Sequence, residues 1–566
     1  MTGNQILLEI LEAEDVTTAF SLLSEELMGI TMAAEEEHSN IEIVQTRHEQ
    51  SAVAMADGYA RVSDEIGVAV IGRGPAIAQT GTALTTAYNH GSNILVIIAT
   101  RPRHSFNDEL NKGFRQESFI DSLVDEFYTV WDEETFVPSF ADAFRKLHAD
   151  SGPVVVQIPW DILDAELGDK GEWRETSIGS PRPDRSTASL RPNEDDVVEA
   201  ATMYETCSLS NPPVILAGAG AVKDDAGDAI ESLAKRLNAV IVTTMQARSF
   251  LADHPYMAGF VGGLGDPNAN AYLKQSEFVL ALGASLNNHT TQHGELLAEG
   301  ITIQSDIEPA HLDRYSSVDL SIVGGATAMA EALDNELDQR GINEQDWFWT
   351  DTLVEQLNES PQVDTREFSP KADCVDPRAL VSELDSLLPD ERIVVTDSGQ
   401  LTTWVINEIS ITQTDDFIWP MDFGSIGLGQ PIALGAAHYD FEKPVIVFCG
   451  DGGFQMSLQE LNTAVRSELP LIIVVINDGA LGAEYQRMRN HEGSAAPALI
   501  DTPDFETIAE GFGARAHTIR SLDDLGTVAE DVSVTPFGPI VLDCKVDQRI
   551  QIPKFDPDYE SESGVE

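Results

Sequence analysis

The sequence predicts an α/β protein made of three tandem parallel-sheet domains. Continuous apolar runs rich in β-branched residues, such as VIVFC and LIIVVI in the last third of the chain, read as fully buried strands. Segments with helical spacing lie between such runs, and strand–helix–strand order implies right-handed crossovers between parallel strands. The chain has 566 residues, too many for one core, and two polar stretches divide it.

Taken in order, the first domain is expected over residues 1–168. Its strand candidates are Val68–Ile71, Ile94–Ala99 and Val154–Ile158, and a helix is expected to start near Glu49 in TRHEQSAVAMADGYAR. Residues 169–193, rich in Gly, Pro, Ser, Arg and Asp, read as a linker. The second domain is expected over 194–338, with strands at Val214–Ala217, Ala239–Thr243 and Phe278–Leu282. Gly218-Ala219-Gly220 follows the first of these. It lacks the third glycine of a dinucleotide fingerprint, so a tight turn is the better reading. Residues 343–376, with Pro361 and Pro370, read as a second linker. The third domain is expected over 377–552, with strands at Ile393–Thr396, Val445–Cys449, Leu471–Ile476 and Ile540–Leu542. The acidic tail from Pro553 is expected to fray.

Composition narrows the function. With 42% hydrophobic residues the chain is globular, and no run of 18 or more apolar residues predicts a membrane span. The acidic first residues lack the basic start of a signal peptide. Cys207, Cys374, Cys449 and Cys544 are scattered with no CxxC pair, which favours a reducing cytoplasm and gives no zinc site. The chain holds 95 acidic and 34 basic residues, for a net charge of −61. That charge argues against nucleic-acid binding. Acidic residues are spread along the whole chain, so adaptation to high salt is expected, where screening over about 3 Å at 1 M relieves self-repulsion.

The chemistry concentrates at Gly450-Asp451-Gly452, followed 26 positions after the aspartate by Asn477. Both polar residues end apolar strands, so both are expected at the carboxyl edge of one sheet, where open α/β sheets bind ligands. A carboxylate and an amide oxygen there suit Mg²⁺, which shares its shell with phosphates. Gly450, Gly452, Gly453, Gly479 and Gly482 would let backbone amides approach a diphosphate. Between the two strands a helix is expected over Ser457–Glu468, with Leu458, Leu461 and Val465 on one face and Ser457 with Glu460 as a capping box.

This stretch resembles the cofactor motif of thiamine-diphosphate-dependent enzymes. The resemblance implies a pyrimidine-binding, a central and a diphosphate-binding domain. It implies that Asp451, Asn477 and the carbonyl of Gly479 hold Mg²⁺ on the cofactor diphosphate, with Leu481 and Gly482 also at the cofactor. The match for the family's catalytic glutamate is Glu49, whose implied role is to bond a ring nitrogen of the aminopyrimidine and so favour removal of the thiazolium proton. Asp397-Ser398-Gly399-Gln400 resembles a loop that touches the diphosphate, making Gly399 and Gln400 cofactor candidates. Gly424-Ser425-Ile426-Gly427 resembles the string whose bulky apolar residue props the bent cofactor, making Gly424 and Ile426 candidates. Gly74-Pro75-Ala76 with Gln79 corresponds to a Gly-Pro-Gly…Asn string, with departures at Ala76 and Gln79.

The whole-chain pattern looks most like acetohydroxyacid (acetolactate) synthase large subunits of branched-chain amino acid biosynthesis. Gln116-Glu117 and the Gly152–Pro159 string match that branch, whose reaction is decarboxylation of a 2-oxo acid followed by carboligation. His48, His90 and Gln116 are the substrate candidates; His38 is a weaker one. Arg115 replaces the family phenylalanine and Thr129 the expected lysine. Ser285-Leu286-Asn287-Asn288-His289 replaces the Arg-Phe-Asp-Asp-Arg string of the flavin-containing synthases, which speaks against FAD while leaving it open. Another 2-oxo acid decarboxylase, carboligase or lyase of the family, and a degenerate non-catalytic binding subunit, stand as alternatives. Because the family builds its site between chains, a homodimer or homotetramer with interfacial sites is expected.

Overall fold

The computed structural model describes residues 1–36, 39–63, 65–105, 111–149, 152–167, 190–297, 300–342, 348–358, 364, 366–491 and 494–552. The linker expected over 169–193 lies outside them up to residue 189, as do His38 and the tail from Pro553. The chain forms two compact units, one holding the first and third sheets, the other the second.

The first sheet comprises β1 (Thr18–Ser21), β2 (Glu42–Gln45), β3 (Gly67–Ile71), β4 (Ile94–Thr100), β5 (Glu126–Thr129) and β6 (Val154–Pro159). The second comprises β7 (Val214–Ala217), β8 (Val240–Thr243), β9 (Met257–Phe260), β10 (Phe278–Leu282), β11 (Ile301–Asp306) and β12 (Leu320–Val323). The third comprises β13 (Ile393–Thr396), β14 (Phe417–Ile418), β15 (Val445–Gly450), β16 (Leu471–Asn477), β17 (Arg515–Ile519) and β18 (Ile540–Lys545). The paired strands of all three sheets run parallel. The orders are β2-β1-β3-β4-β6-β5, β12-β11-β10-β7-β8-β9 and β14-β13-β15-β16-β18-β17. The first and third sheets therefore share one topology, with the chain reversing direction between β1 and β3 and again between β13 and β15.

Every strand expected from an apolar run is present. The strands not anticipated include the six edges: β2, β5, β9, β12, β14 and β17. Edge strands are half exposed and keep polar residues, as in EFYT of β5 and RAHTI of β17, so they lack a continuous apolar run. The second expected linker differs as well. Asp351–Asn358 is a helix whose Leu353 and Leu357 are buried in the second unit.

In the first unit one apolar core joins the helix Glu49–Val62 to the helix Gly429–Tyr439. Val53, Met55 and Ala56 of the former pack with Ile432, Ala433 and Ala436 of the latter. Two glycines permit the crossing. A Cβ on Gly58 would lie 2.0 Å from the Ile432 carbonyl oxygen, and one on Gly435 would lie 1.9 Å from that of Met55. The two backbones meet directly, which aligns the Glu49 helix against the helix that connects β14 to β15.

Candidate cofactor and metal site

β13 and β15 flank the point where the strand order reverses, the place where parallel sheets open a ligand crevice. Asp397-Ser398-Gly399-Gln400 leaves β13, and Asp451 leaves β15 with Gly450 as helix N-cap. Gly450 pairs with Ile476 in register, so Asn477 ends β16 beside them. The helix after β15 starts at Asp451 itself and runs to Ser457, continues as a 3₁₀ turn over Leu458–Glu460, and resumes over Leu461–Arg466. The expected capping box is absent. Ser457 Oγ donates to Gln430 Oε1, and the Glu460 carboxylate accepts from the Arg47 N–H and the Thr463 hydroxyl. Helix initiation at Asp451 draws its amides onto the strand edge, which leaves Ser457 at the junction with the 3₁₀ turn instead of at a helix start.

Asp451 is 1% exposed. Its Oδ1 accepts from the Gly452 N–H at 3.0 Å, and its Oδ2 is buried with no hydrogen-bond partner. Burial pushes the carboxyl up to about 6. Asn477 is held by its Nδ2, which donates to Asp543 Oδ1 at 2.8 Å, while Lys545 pairs with Asp543 at 2.7 Å. That bond fixes which amide atom is left over. Asn477 Oδ1 accepts only a long bond, 3.4 Å, from Thr502 among the described residues. Gly479 adopts φ +68°, and its carbonyl accepts from the Ile500 N–H at 2.8 Å, using one of two lone pairs. Among the described residues no group of three His, Cys, Asp or Glu could hold a metal. One orphaned carboxylate oxygen, one oriented amide oxygen and one carbonyl form an incomplete oxygen set. Such a set fits a hard cation that completes its shell with diphosphate oxygens and water.

Asp478, between Asn477 and Gly479, accepts from Gln400 Nε2 and the Ala480 N–H, both at 3.0 Å. Desolvation and the charge of Asp451 push its carboxyl up to about 7. Gln400 is buried, with Oε1 unpartnered. Gly399 sits at φ +137°. Gly482 packs against Gln400 and Asp478, where a Cβ would come within 2.4 Å of Gln400 Nε2. Gly452 and Leu481 are neighbours, and a Cβ on Gly453 would meet Asp397 Oδ2. Gly399, Gln400, Gly450, Asp451, Gly452, Gly453, Asn477, Gly479, Leu481 and Gly482 are thus assembled along one edge.

Gly424 and Ile426 lie on the loop before the helix Gly429–Tyr439, with Gly424 at φ +76° and Gly427 at φ +84°. Asp397, which sequence reasoning passed over, ties this loop to β13. It is 1% exposed and accepts from the N–H groups of Ser398 at 2.9 Å, Gly427 at 2.8 Å and Gly429 at 3.4 Å. Burial still pushes its carboxyl up to about 6. Its position opening the Asp-Ser-Gly-Gln turn was the available signal.

Glu49 opens its helix, with His48 as N-cap accepting from the Gln50 N–H through Nδ1. Glu49 Oε2 accepts from Gln79 Nε2 at 2.9 Å. Among the described residues no hydrogen bond joins Glu49 to Asp451, Asn477 or Gly479. Gln116 is buried, with Nε2 donating to Gln157 Oε1 at 3.1 Å and Oε1 facing the Gly74 N–H at 3.5 Å; Gln157 in turn donates to Thr129 at 2.9 Å. His90 faces Asp422, Nδ1 to Oδ1 at 3.5 Å. The three substrate candidates are thus engaged in a helix cap, a buried amide chain and an ion-pair cluster. In the second unit, the Ser285–His289 segment forms a turn in which Asn287 Oδ1 caps the next helix.

Three family models match this chain. The N-terminal thiamine pyrophosphate binding domain matches residues 1–123, the central domain 203–333 and the C-terminal thiamine pyrophosphate binding domain 397–544. Similar proteins include a "probable acetolactate synthase large subunit" of Methanocaldococcus jannaschii, 27% identical over 98% of this chain and 94% of its own. The acetolactate synthase isozyme 2 large subunit of Escherichia coli is 26% identical over 97% of this chain and 96% of its own. The sulfoacetaldehyde acetyltransferase of Alcaligenes xylosoxydans xylosoxydans is 27% identical over 93% and 89%. With three consecutive domain models spanning well over half the chain, and an oxygen-donor set on the sheet edge where their cofactor motif falls, this chain belongs to the thiamine pyrophosphate enzyme family.

Proposed function

We propose that this chain decarboxylates a 2-oxo acid and joins the remaining acyl-level carbon unit to an acceptor, as an acetolactate synthase does, using thiamine diphosphate and Mg²⁺. The observation that supports it best is the unpartnered buried Oδ2 of Asp451 beside the oriented amide of Asn477. When bound, thiamine diphosphate supplies the carbanion chemistry, a carbon nucleophile and an electron sink. Asp451, Asn477 and the Gly479 carbonyl are the cation ligands in this reading. Glu49 would bond a ring nitrogen of the cofactor's aminopyrimidine and hold the proton there, and Gln79, donating to Oε2, orients the Glu49 carboxylate. Asp397 fixes the loop bearing Ile426, whose side chain would prop the cofactor. No flavin is needed for this chemistry.

We place Glu49 in a partner chain's site, within a homodimer or homotetramer. Glu49 is partly exposed, and Phe423, Met456 and Leu481 expose apolar surface near the diphosphate edge at 53%, 55% and 38%. A cytoplasmic protein working at high salt fits the charge and the four free cysteines. Among the described residues no helix is long and apolar enough to cross a membrane.

Thr129, bonded to Gln157 where a lysine was expected, favours a second reading in which the acceptor is not pyruvate. Product analysis after incubation with pyruvate, thiamine diphosphate and Mg²⁺ at high salt tests both. Acetolactate supports the synthase reading, acetaldehyde a decarboxylase, and neither product a different donor. Calorimetric titration showing no cofactor binding would leave only a non-catalytic subunit.

A further inference from the structure

The helix that begins with Glu49 ends in a buried charge cluster. Arg61 is 4% exposed in its side chain. Its Nε and Nη2 donate to the two oxygens of Asp57 at 2.8 and 3.0 Å. Its Nη1 and Nη2 donate to Asp422 Oδ2 at 3.1 and 3.2 Å. Asn89 Nδ2 donates to the Asp422 carbonyl at 2.9 Å, and His90 Nδ1 faces Asp422 Oδ1. Ser92 Oγ donates to Asp57 Oδ1. Asp422 lies 361 residues from Arg61 in sequence and four before Ile426.

We propose that Asp422 is a positioning residue for the loop that bears Ile426, latched through Arg61 to the end of the helix that Glu49 opens. The inference rests on the reading above that Ile426 meets the cofactor. Among the described residues the first half of the loop is otherwise held by neutral contacts alone, Asn89 on the Asp422 carbonyl, Ser398 on the Met421 sulfur at 3.2 Å and the Gly424 N–H on the Met421 carbonyl at 3.0 Å, while Met421 and Phe423 are 39% and 53% exposed. Its second half is tied by the backbone amides that Asp397 accepts. A planar guanidinium shared by two carboxylates in a desolvated site is a directional anchor, because each partner lost leaves the others unpaired. One helix thus bears the proton-exchanging carboxylate at its first turn and holds the cofactor-propping loop at its last.

Hydrogen exchange of the apo protein and titration of thiamine diphosphate with Mg²⁺ test the latch in Asp422→Ala and Arg61→Lys. In Asp422→Ala, exchange is expected to quicken over 421–426 while the sheets stay protected. Cofactor binding should weaken about tenfold, as for a loop whose competent state falls to about a tenth. The apparent cofactor KM should rise more than kcat falls. Unchanged exchange and affinity in Asp422→Ala overturn the proposal. If Asp422→Ala does not fold, Arg61→Lys, which keeps the positive charge but cannot bridge Asp57 and Asp422 with a planar fork, decides on the same two readouts. Faster exchange over 421–426 with weaker cofactor binding is expected there, and no change in either overturns the proposal. A wild-type chain that binds no thiamine diphosphate would sink the cofactor reading instead, and the apo exchange would still decide the latch.

Discussion

Asp451 has one oxygen bonded to its own helix start and one buried with no partner, and that asymmetry defines the site at the scale of single residues. Its motif was legible because Gly-Asp-Gly and a downstream Asn at a strand end stand out in one dimension. Asp397 was not, since its work is to collect amides from residues 30 and 32 positions away, which no local pattern announces. Glu49→Gln is expected to lower kcat about 10²- to 10⁴-fold with cofactor affinity preserved, as for loss of a positioned acid–base group; equal loss of affinity and rate would contradict that role. Asp397 gives a pH test. Burial raises its carboxyl from 3.8 to about 6, so the folded chain holds the proton more tightly than the unfolded one. Its stabilising contribution is present below pH 3.8 and is lost as pH rises through about 6, on the order of 3 kcal/mol. Asp397→Asn should flatten that loss. Urea unfolding of both proteins at about pH 4.5 and 7.5, in constant high salt, checks it; parallel behaviour would refute the assignment.

Among elements, the crossing of the Glu49–Val62 and Gly429–Tyr439 helices sets the frame. Alanine at Gly58 would put a Cβ 2.0 Å from the Ile432 carbonyl, so the helices must part. Gly58→Ala is expected to destabilise by about 1–3 kcal/mol or more, read as a lowered unfolding midpoint. Gly91→Ala makes a useful contrast, since a Cβ there meets nothing within 4 Å and only its φ of +75° resists the change. The helix itself was legible from its spacing, but its partner was not, because Gly58 and Gly435 are 377 residues apart. The same division holds for strands. Most central strands announce themselves as apolar runs, but the interior β1 (TAFS) and β11 (ITIQSD) carry polar residues and do not, and the edges become strands only by pairing with a neighbour already in place.

Over the whole molecule, charge dominates. Described Lys and Arg side chains pair with carboxylates, as Arg61 does with Asp57 and Lys545 with Asp543, but the 34 basic residues are far fewer than the 95 acidic ones and the net charge is −61. At low ionic strength that repulsion acts over tens of ångströms. Thermal unfolding followed from about 0.1 to 3 M KCl is expected to show a midpoint that climbs steeply with salt; a midpoint independent of salt would remove the case for salt adaptation.

The sequence by itself determined the α/β class, the central strands that are continuous apolar runs, the Glu49 helix and the cofactor motif, because each is written in contiguous residues with one period or one spacing. Tertiary structure decided the rest. It revealed that the first and third sheets repeat one topology, which brings the Asp397 and Asp451 turns to a single reversal point. It also gave Asn477 its orientation through Asp543, His90 a place facing Asp422, and the Ile426 loop its two anchors. Those outcomes depend on side chains hundreds of positions apart sharing one desolvated space, where an unpaired polar atom is costly and each must find its partner.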